Sequence, residues 1–71
     1  SPNPSDGKLT IKTNNDLVTK YIKIYNFTGK EEFQDSFISK DHSLSLNLSP
    51  GVYFLELFYN GQKGHKKIVI Q

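Results

Sequence analysis

The sequence predicts an all-β fold, a small two-sheet sandwich of six to seven antiparallel strands with no helix. Three observations carry that prediction. Apolar residues recur with period two in several separate runs, as strands with one wet face require. Turn-forming residues punctuate the chain at intervals of roughly 8 to 12 residues, the spacing of a sandwich or barrel. No stretch sustains helical spacing, and the β-branched and aromatic residues sit in the runs where strands favour them. The 71 residues make one domain, which at this size buries only about 60% of the surface its unfolded chain exposes. A deep cleft does not fit inside it.

Residues 1–7 are Pro-, Asn-, Ser-, Asp- and Gly-rich linker chemistry, and the domain proper spans residues 8–71. Leu9 and Ile11 alternate with Lys8, Thr10 and Lys12 in a first strand, which Asn14-Asn15-Asp16 ends. Tyr21 to Tyr25 alternates again, with Ile22 and Ile24 inward and the two tyrosines and Lys23 at the surface. Thr28-Gly29 turns the chain into a weaker strand over Glu31 to Ile38, anchored by Phe33 and Phe37. Ser43 to Leu48 places Leu44, Leu46 and Leu48 on one face over a core. Ser49-Pro50-Gly51 suits a type II turn, because proline presets the first central φ and glycine accepts the positive second one. Val52 to Tyr59 is apolar on both faces except at Glu56, which predicts a central strand covered on both sides. Asn60-Gly61 is a type I′ hairpin signal, and its partner strand runs from Gly64 to Gln71, so the sequence closes on a strand. The pattern is that of a compact immunoglobulin-like or fibronectin-like sandwich.

Composition narrows the function. Nine basic residues, all lysine, against seven acids give a net charge of +2, too weak a balance for nucleic acid and without the arginine that reads guanine edges and phosphates. No apolar stretch approaches the roughly 20 residues of a membrane span. Without cysteine there is neither a disulfide framework nor a thiolate metal site. The chain shows no basic region followed by an apolar stretch, so an export signal is expected on a longer protein of which it is a piece.

Catalytic chemistry is not expected. His42 and His65 each sit in a polar turn or strand end with no orienting partner evident in the sequence, and Asp6, Asp16, Asp35 and Asp41 fall in separate loops. One loop with a single carboxylate, Asn14-Asn15-Asp16, lacks the several oxygens a calcium site collects. The sequons Asn26-Phe27-Thr28 and Asn47-Leu48-Ser49 are read as turn residues, and no cofactor is expected. Outward-facing Tyr21, Tyr25 and Tyr59 support an alternative reading, a non-catalytic accessory or adhesion module that binds polysaccharide or a surface protein.

Three matches in order along the chain resemble the C-terminal sorting domain, type A, that Bacteroidetes proteins carry for type IX secretion. Pro2-Asn3-Pro4 followed by Gly7-Lys8-Leu9-Thr10-Ile11 is similar to the family's opening. Ile22-Lys23-Ile24-Tyr25-Asn26 with Thr28-Gly29-Lys30 looks like its middle strand and turn. Leu48-Ser49-Pro50-Gly51-Val52-Tyr53 and the basic-then-apolar Lys66-Lys67-Ile68-Val69-Ile70-Gln71 resemble its late motif and its end. Ser1 stands where the family usually has an aromatic residue. The resemblance implies a modular tail on a passenger that reaches the periplasm by its own signal peptide. The translocon then recognises the tail and carries the passenger through the outer membrane to the surface or the medium, and a sortase-like protease cuts at the linker around Pro2, Asn3 and Pro4. Pro50, Gly51 and Tyr53 are expected to form the motif turn, with the Tyr53 hydroxyl reaching a rim partner. Lys66, Lys67, Ile68, Val69, Ile70 and Gln71 are the candidate recognition element for the translocon. Their strand, at a sheet edge, also allows a weak edge-strand dimer.

Overall fold

The computed structural model describes residues 7–71. Six strands follow one another: β1 (Lys8–Lys12), β2 (Lys20–Asn26), β3 (Glu31–Phe37), β4 (Asp41–Ser45), β5 (Gly51–Tyr59) and β6 (Gln62–Ile70). The described residues include no helix, in keeping with the absence of helical spacing. A four-stranded sheet has the order β3-β2-β5-β6, a two-stranded sheet pairs β1 with β4, and every pairing is antiparallel. The chain changes sheet three times, after β1, β3 and β4, and makes hairpins only at β2–β3 and β5–β6.

Alternation decides which side chains meet. Ile22 lies opposite Leu57 and Ile24 opposite Leu55 across β2–β5, while Tyr53 lies opposite Ile68 and Gly51 opposite Ile70 across β5–β6. Ile22, Ile24, Tyr53, Leu55, Ile68 and Ile70, joined by Phe37 and Leu46, form the core, with Ile22 and Ile24 fully buried. Leu9, Ile11, Leu44 and Leu48 pack on it from the other layer. The three leucines thus face the core as their spacing predicts, although β4 itself ends at Ser45. Backbone hydrogen bonds beyond the strands extend the β1–β4 pairing at both ends, from Thr13 N to Lys40 O and from Leu46 N to Gly7 O, each 2.8 Å. Gly7, the last residue of the stretch read as linker, is therefore buried against the fold. Its φ of 83° is left-handed, and a Cβ there would collide with the Leu46 carbonyl oxygen.

The β5–β6 turn is the one expected, with positive φ at both Asn60 (53°) and Gly61 (72°). Two expectations need correction. Gly51 does not occupy the second central position of a type II turn: its φ is 157° and it is already the first residue of β5, in register with Ile70. A hairpin would have returned the chain beside β4, whereas Leu46 to Pro50 crosses to the other sheet. Nor is β5 covered on both sides. Tyr53 and Leu55 are buried, but Val52, Phe54 and Phe58 on the opposite face are 37, 42 and 37% exposed. Their apolar character predicts a second covering layer, and the two-stranded sheet covers only one face.

The core also holds a lysine that the sequence hides. Lys20 shares the inward parity of Ile22 and Ile24 and is fully buried. Its ammonium donates to the carbonyls of Val18 (3.2 Å) and Ile38 (3.0 Å) and lies 5.1 Å from the Phe37 ring centroid and 5.7 Å from that of Tyr59. Two segments that leave the strands are thus tied to one side chain, with the aromatic faces completing the shell of the cation. Lys20→Met keeps the stem but strands two carbonyls. We expect it to cost about 1–3 kcal/mol, read as a lower urea midpoint at unchanged m-value, while Lys40→Met, exposed, stays within about 0.5 kcal/mol of the parent.

Candidate functional site

The terminal strand combines burial with a free edge. β6 is the outermost strand of its sheet, paired with β5 alone among the described residues. Ile68 and Ile70 are buried, Val69 is half-buried on the outer face opposite Val52, and Gln62 to Lys67 are all exposed. Lys66 lies opposite Leu55 and Lys67 opposite Phe54, so the two lysines point to opposite sides of the sheet. The apolar end of the strand is held by the core while its basic half stands clear of it.

At the other end of β5, the hydroxyl of Tyr53 donates to the Ser49 carbonyl at 2.6 Å, and its ring is buried. This bond spans Pro50-Gly51 and fastens the sheet-to-sheet crossing to the strand that follows. Pro50 and Gly51 are exposed. Pro2, Asn3 and Pro4 lie outside the described residues.

Both histidines have partners: that of His65 follows from the Asn60-Gly61 hairpin register, whereas that of His42 does not show in the sequence. His42 Nε2 donates to Asp35 Oδ2 at 2.9 Å, and its ring stacks on Phe37 with centroids 4.6 Å apart and planes 5° from parallel. The signal is topological: β3 and β4 belong to different sheets, so His42 and Asp35 meet across the layers. His65 Nε2 donates to Glu56 Oε2 at 3.3 Å, with the Lys63 ammonium 3.9 Å from the same oxygen. Neither pair has a nucleophile beside it. Asn15 Oδ1 accepts the N–H groups of Leu17 (2.7 Å) and Val18 (3.2 Å), which turns it toward its own backbone. Asn26 Oδ1 likewise accepts from Thr28 N, Thr28 Oγ1 and Lys30 N and caps the β2–β3 turn. No group of three or more His, Cys, Asp or Glu side chains able to hold a metal occurs among the described residues.

The three tyrosines read as outward do not form one row. Tyr21 and Tyr25 lie on the outer face opposite Phe58 and Phe54, but Tyr59 faces the other way, toward Lys20.

The family comparison decides the matter. The model of a secretion system C-terminal sorting domain matches residues 1–71, the whole chain. The chain belongs to that family. No curated protein matches it. As a sorting domain it is a type IX secretion signal, which implies export to the cell surface or the medium and contact with the secretion machinery as a passenger's tail. The family is one of sorting signals and not a catalytic family.

The Asp35–His42 pair makes the sorting domain pH-sensitive on the acid side. The His42 hydrogen bond, helped by the Ser36 N–H on Oδ1 at 2.8 Å, holds the Asp35 carboxyl below its ordinary value of 3.8. A carboxyl with a depressed folded-state pKa contributes stability that is complete above the unfolded value and disappears as pH falls through the folded one. Because the Asp35 side chain is 40% exposed, solvent screens the pair and the contribution is small. In urea titrations at several pH values, Asp35→Asn should be less stable than the parent above pH of about 5 and converge with it near pH 2. A gap that persists at low pH would assign the effect to packing.

Proposed function

We propose that this domain directs an attached passenger through the outer membrane by the type IX translocon and is then removed by a sortase-like protease at the Pro2-Asn3-Pro4 linker. The match of the family model over residues 1–71 carries the reading. Prolines at 2 and 4 lack the amide N–H that helix and sheet pairing need, which suits a segment that a protease has to thread. For recognition we assign the terminal segment Lys66 to Gln71, and its geometry supports that choice. A strand at the sheet edge offers backbone donors and acceptors to an added strand, and lysines flanking it keep unwanted strands away. Since Lys66 and Lys67 point to opposite sides, a partner that touches both must come in along the edge. Pro50, Gly51 and Tyr53 then serve the fold by fastening the start of β5, directly opposite the end of β6.

Residues 1–71 fused behind a signal peptide and a fluorescent passenger, in a Bacteroidetes strain with and without its type IX translocon, provide the test. Export that depends on the translocon and is accompanied by loss of the tail is the expected result. Retention in the periplasm of both strains, while a control sorting domain is exported, overturns the proposal. Truncating the last residues would remove Ile68 and Ile70 from the core as well, so recognition is better separated from folding by Lys66→Glu/Lys67→Glu. That variant should lose most export at an unchanged melting temperature; full export would remove the basic pair from the recognition element.

A further inference from the structure

The outer face of the four-stranded sheet is the largest feature that neither the core nor the sorting role uses. Tyr21 (52%), Phe54 (42%), Phe58 (37%) and Val52 (37%) are exposed side by side on it. Two exposed aromatic rows on one sheet face, with the Lys23–Glu56 row between them, are the kind of surface that marks an interaction site. Its charges are of both signs and nearly balanced. Glu56 is flanked by His65 at 3.3 Å and Lys63 at 3.9 Å, and Lys23 lies 3.9 Å from Glu31. A polyanion or an anionic membrane would find little net attraction here. A surface of mixed charge around an apolar centre suits another protein face instead.

The register identifies that face. The strand order β3-β2-β5-β6 has its midline between β2 and β5. A two-fold axis laid along this midline exchanges β2 with β5 and β3 with β6 of a second copy. Rows are preserved by such a rotation, so residues paired across the midline come to face one another between copies. Tyr21 is paired with Phe58, Lys23 with Glu56 and Tyr25 with Phe54. Each aromatic side chain therefore meets an aromatic side chain, and Lys23 meets the partner's Glu56. In the outer columns the Tyr25–Phe54 row ends in Glu31 on β3 and Lys67 on β6, so Lys67 meets the partner's Glu31. Every charge falls opposite its complement or a neutral group, because Ser36 and Gln34 stand opposite Lys63 and His65. Sheet twist, which sets packed sheets about 30° apart, skews the corners but leaves the central rows in place.

The geometry points to a symmetric dimer in which two copies of this chain pack the outer faces of their four-stranded sheets together, aromatic on aromatic with Lys67 against the partner's Glu31. Four strands about 4.8 Å apart and the three rows they share, about 6.8 Å apart, give two faces that together cover roughly 800 Å², the size of weak and transient contacts. The dimer is accordingly weak. It differs from a dimer made by pairing the free edges of β6, which leaves Glu31 and Lys67 of the two copies apart.

Sedimentation equilibrium on the full chain tests it. The parent should pass from monomer to dimer between about 10 μM and about 1 mM. Lys67→Glu and Glu31→Lys should each weaken association by about tenfold by setting like charges together. The double exchange should restore it to within about threefold of the parent. Phe58→Lys should abolish the dimer while circular dichroism stays unchanged. A monomer at every concentration, or a dimer that the double exchange fails to restore, overturns the inference. Should a single variant fail to fold, amide shifts of the parent followed by NMR against concentration decide. Changes centred on Tyr21, Tyr25, Phe54 and Phe58 support the face-to-face dimer, and changes confined to the β6 edge or elsewhere overturn it.

Discussion

Everything else in this domain depends on the register of β5 between β2 and β6. Those two pairings set Ile22, Ile24, Tyr53, Leu55, Ile68 and Ile70 on a single face. A slip of one residue in either would turn the isoleucines outward and carry Lys23, Glu56 or Lys67 inward, where an unpaired charge costs far more than the core can return. The local chemistry that holds the register is modest. Asn60-Gly61 fixes one end of β5–β6, and the Tyr53–Ser49 hydrogen bond fastens the other. In a chain without cysteine, these contacts do what a disulfide does in many small extracellular domains.

The same register explains what could be read from the sequence. Ile22 and Ile24, the three leucines around Leu46, and Asn60-Gly61 were legible because alternation and turn chemistry are local signals, and they mark the core face and the last hairpin correctly. Lys20 was not, because a lysine is taken as a marker of the wet face; its parity with Ile22 was the available clue, and carbonyls from two loops supply what water otherwise would. β5 was misread for the opposite reason. Apolar residues at both parities imply two covering layers, but six strands divided four and two can cover the wide sheet on one side only. The partner of His42 was out of reach for a third reason, since Asp35 and His42 come together only once β3 and β4 are assigned to different sheets; that of His65 follows from the Asn60-Gly61 register.

If the translocon reads Lys66 to Gln71 as proposed, address and fold share one strand. Ile68 and Ile70 are core residues, while Lys66, Lys67 and Val69 alternate around them on the surface. A partner reading the end of this chain reads it only where the sandwich has formed, because an unfolded tail presents neither the edge nor the alternation of the lysines.

The edge and the outer face meet at Lys67. In the face-to-face dimer its ammonium turns to the partner's Glu31, while Lys66 lies on the other side of the sheet and the outer edge of β6 stays outside the interface. Strand addition at the edge and packing on the face therefore use different atoms and need not exclude one another. They are, however, coupled through one charge. A strand added beside β6 whose acidic residue pairs with Lys67 removes the cross-copy ion pair on that side of the two-fold axis, so engagement at the edge should loosen the face. The weakness of the interface is what makes that coupling effective: with roughly 800 Å² in contact, one lost pair on either side shifts the balance between dimer and monomer, whereas a larger interface would absorb the loss.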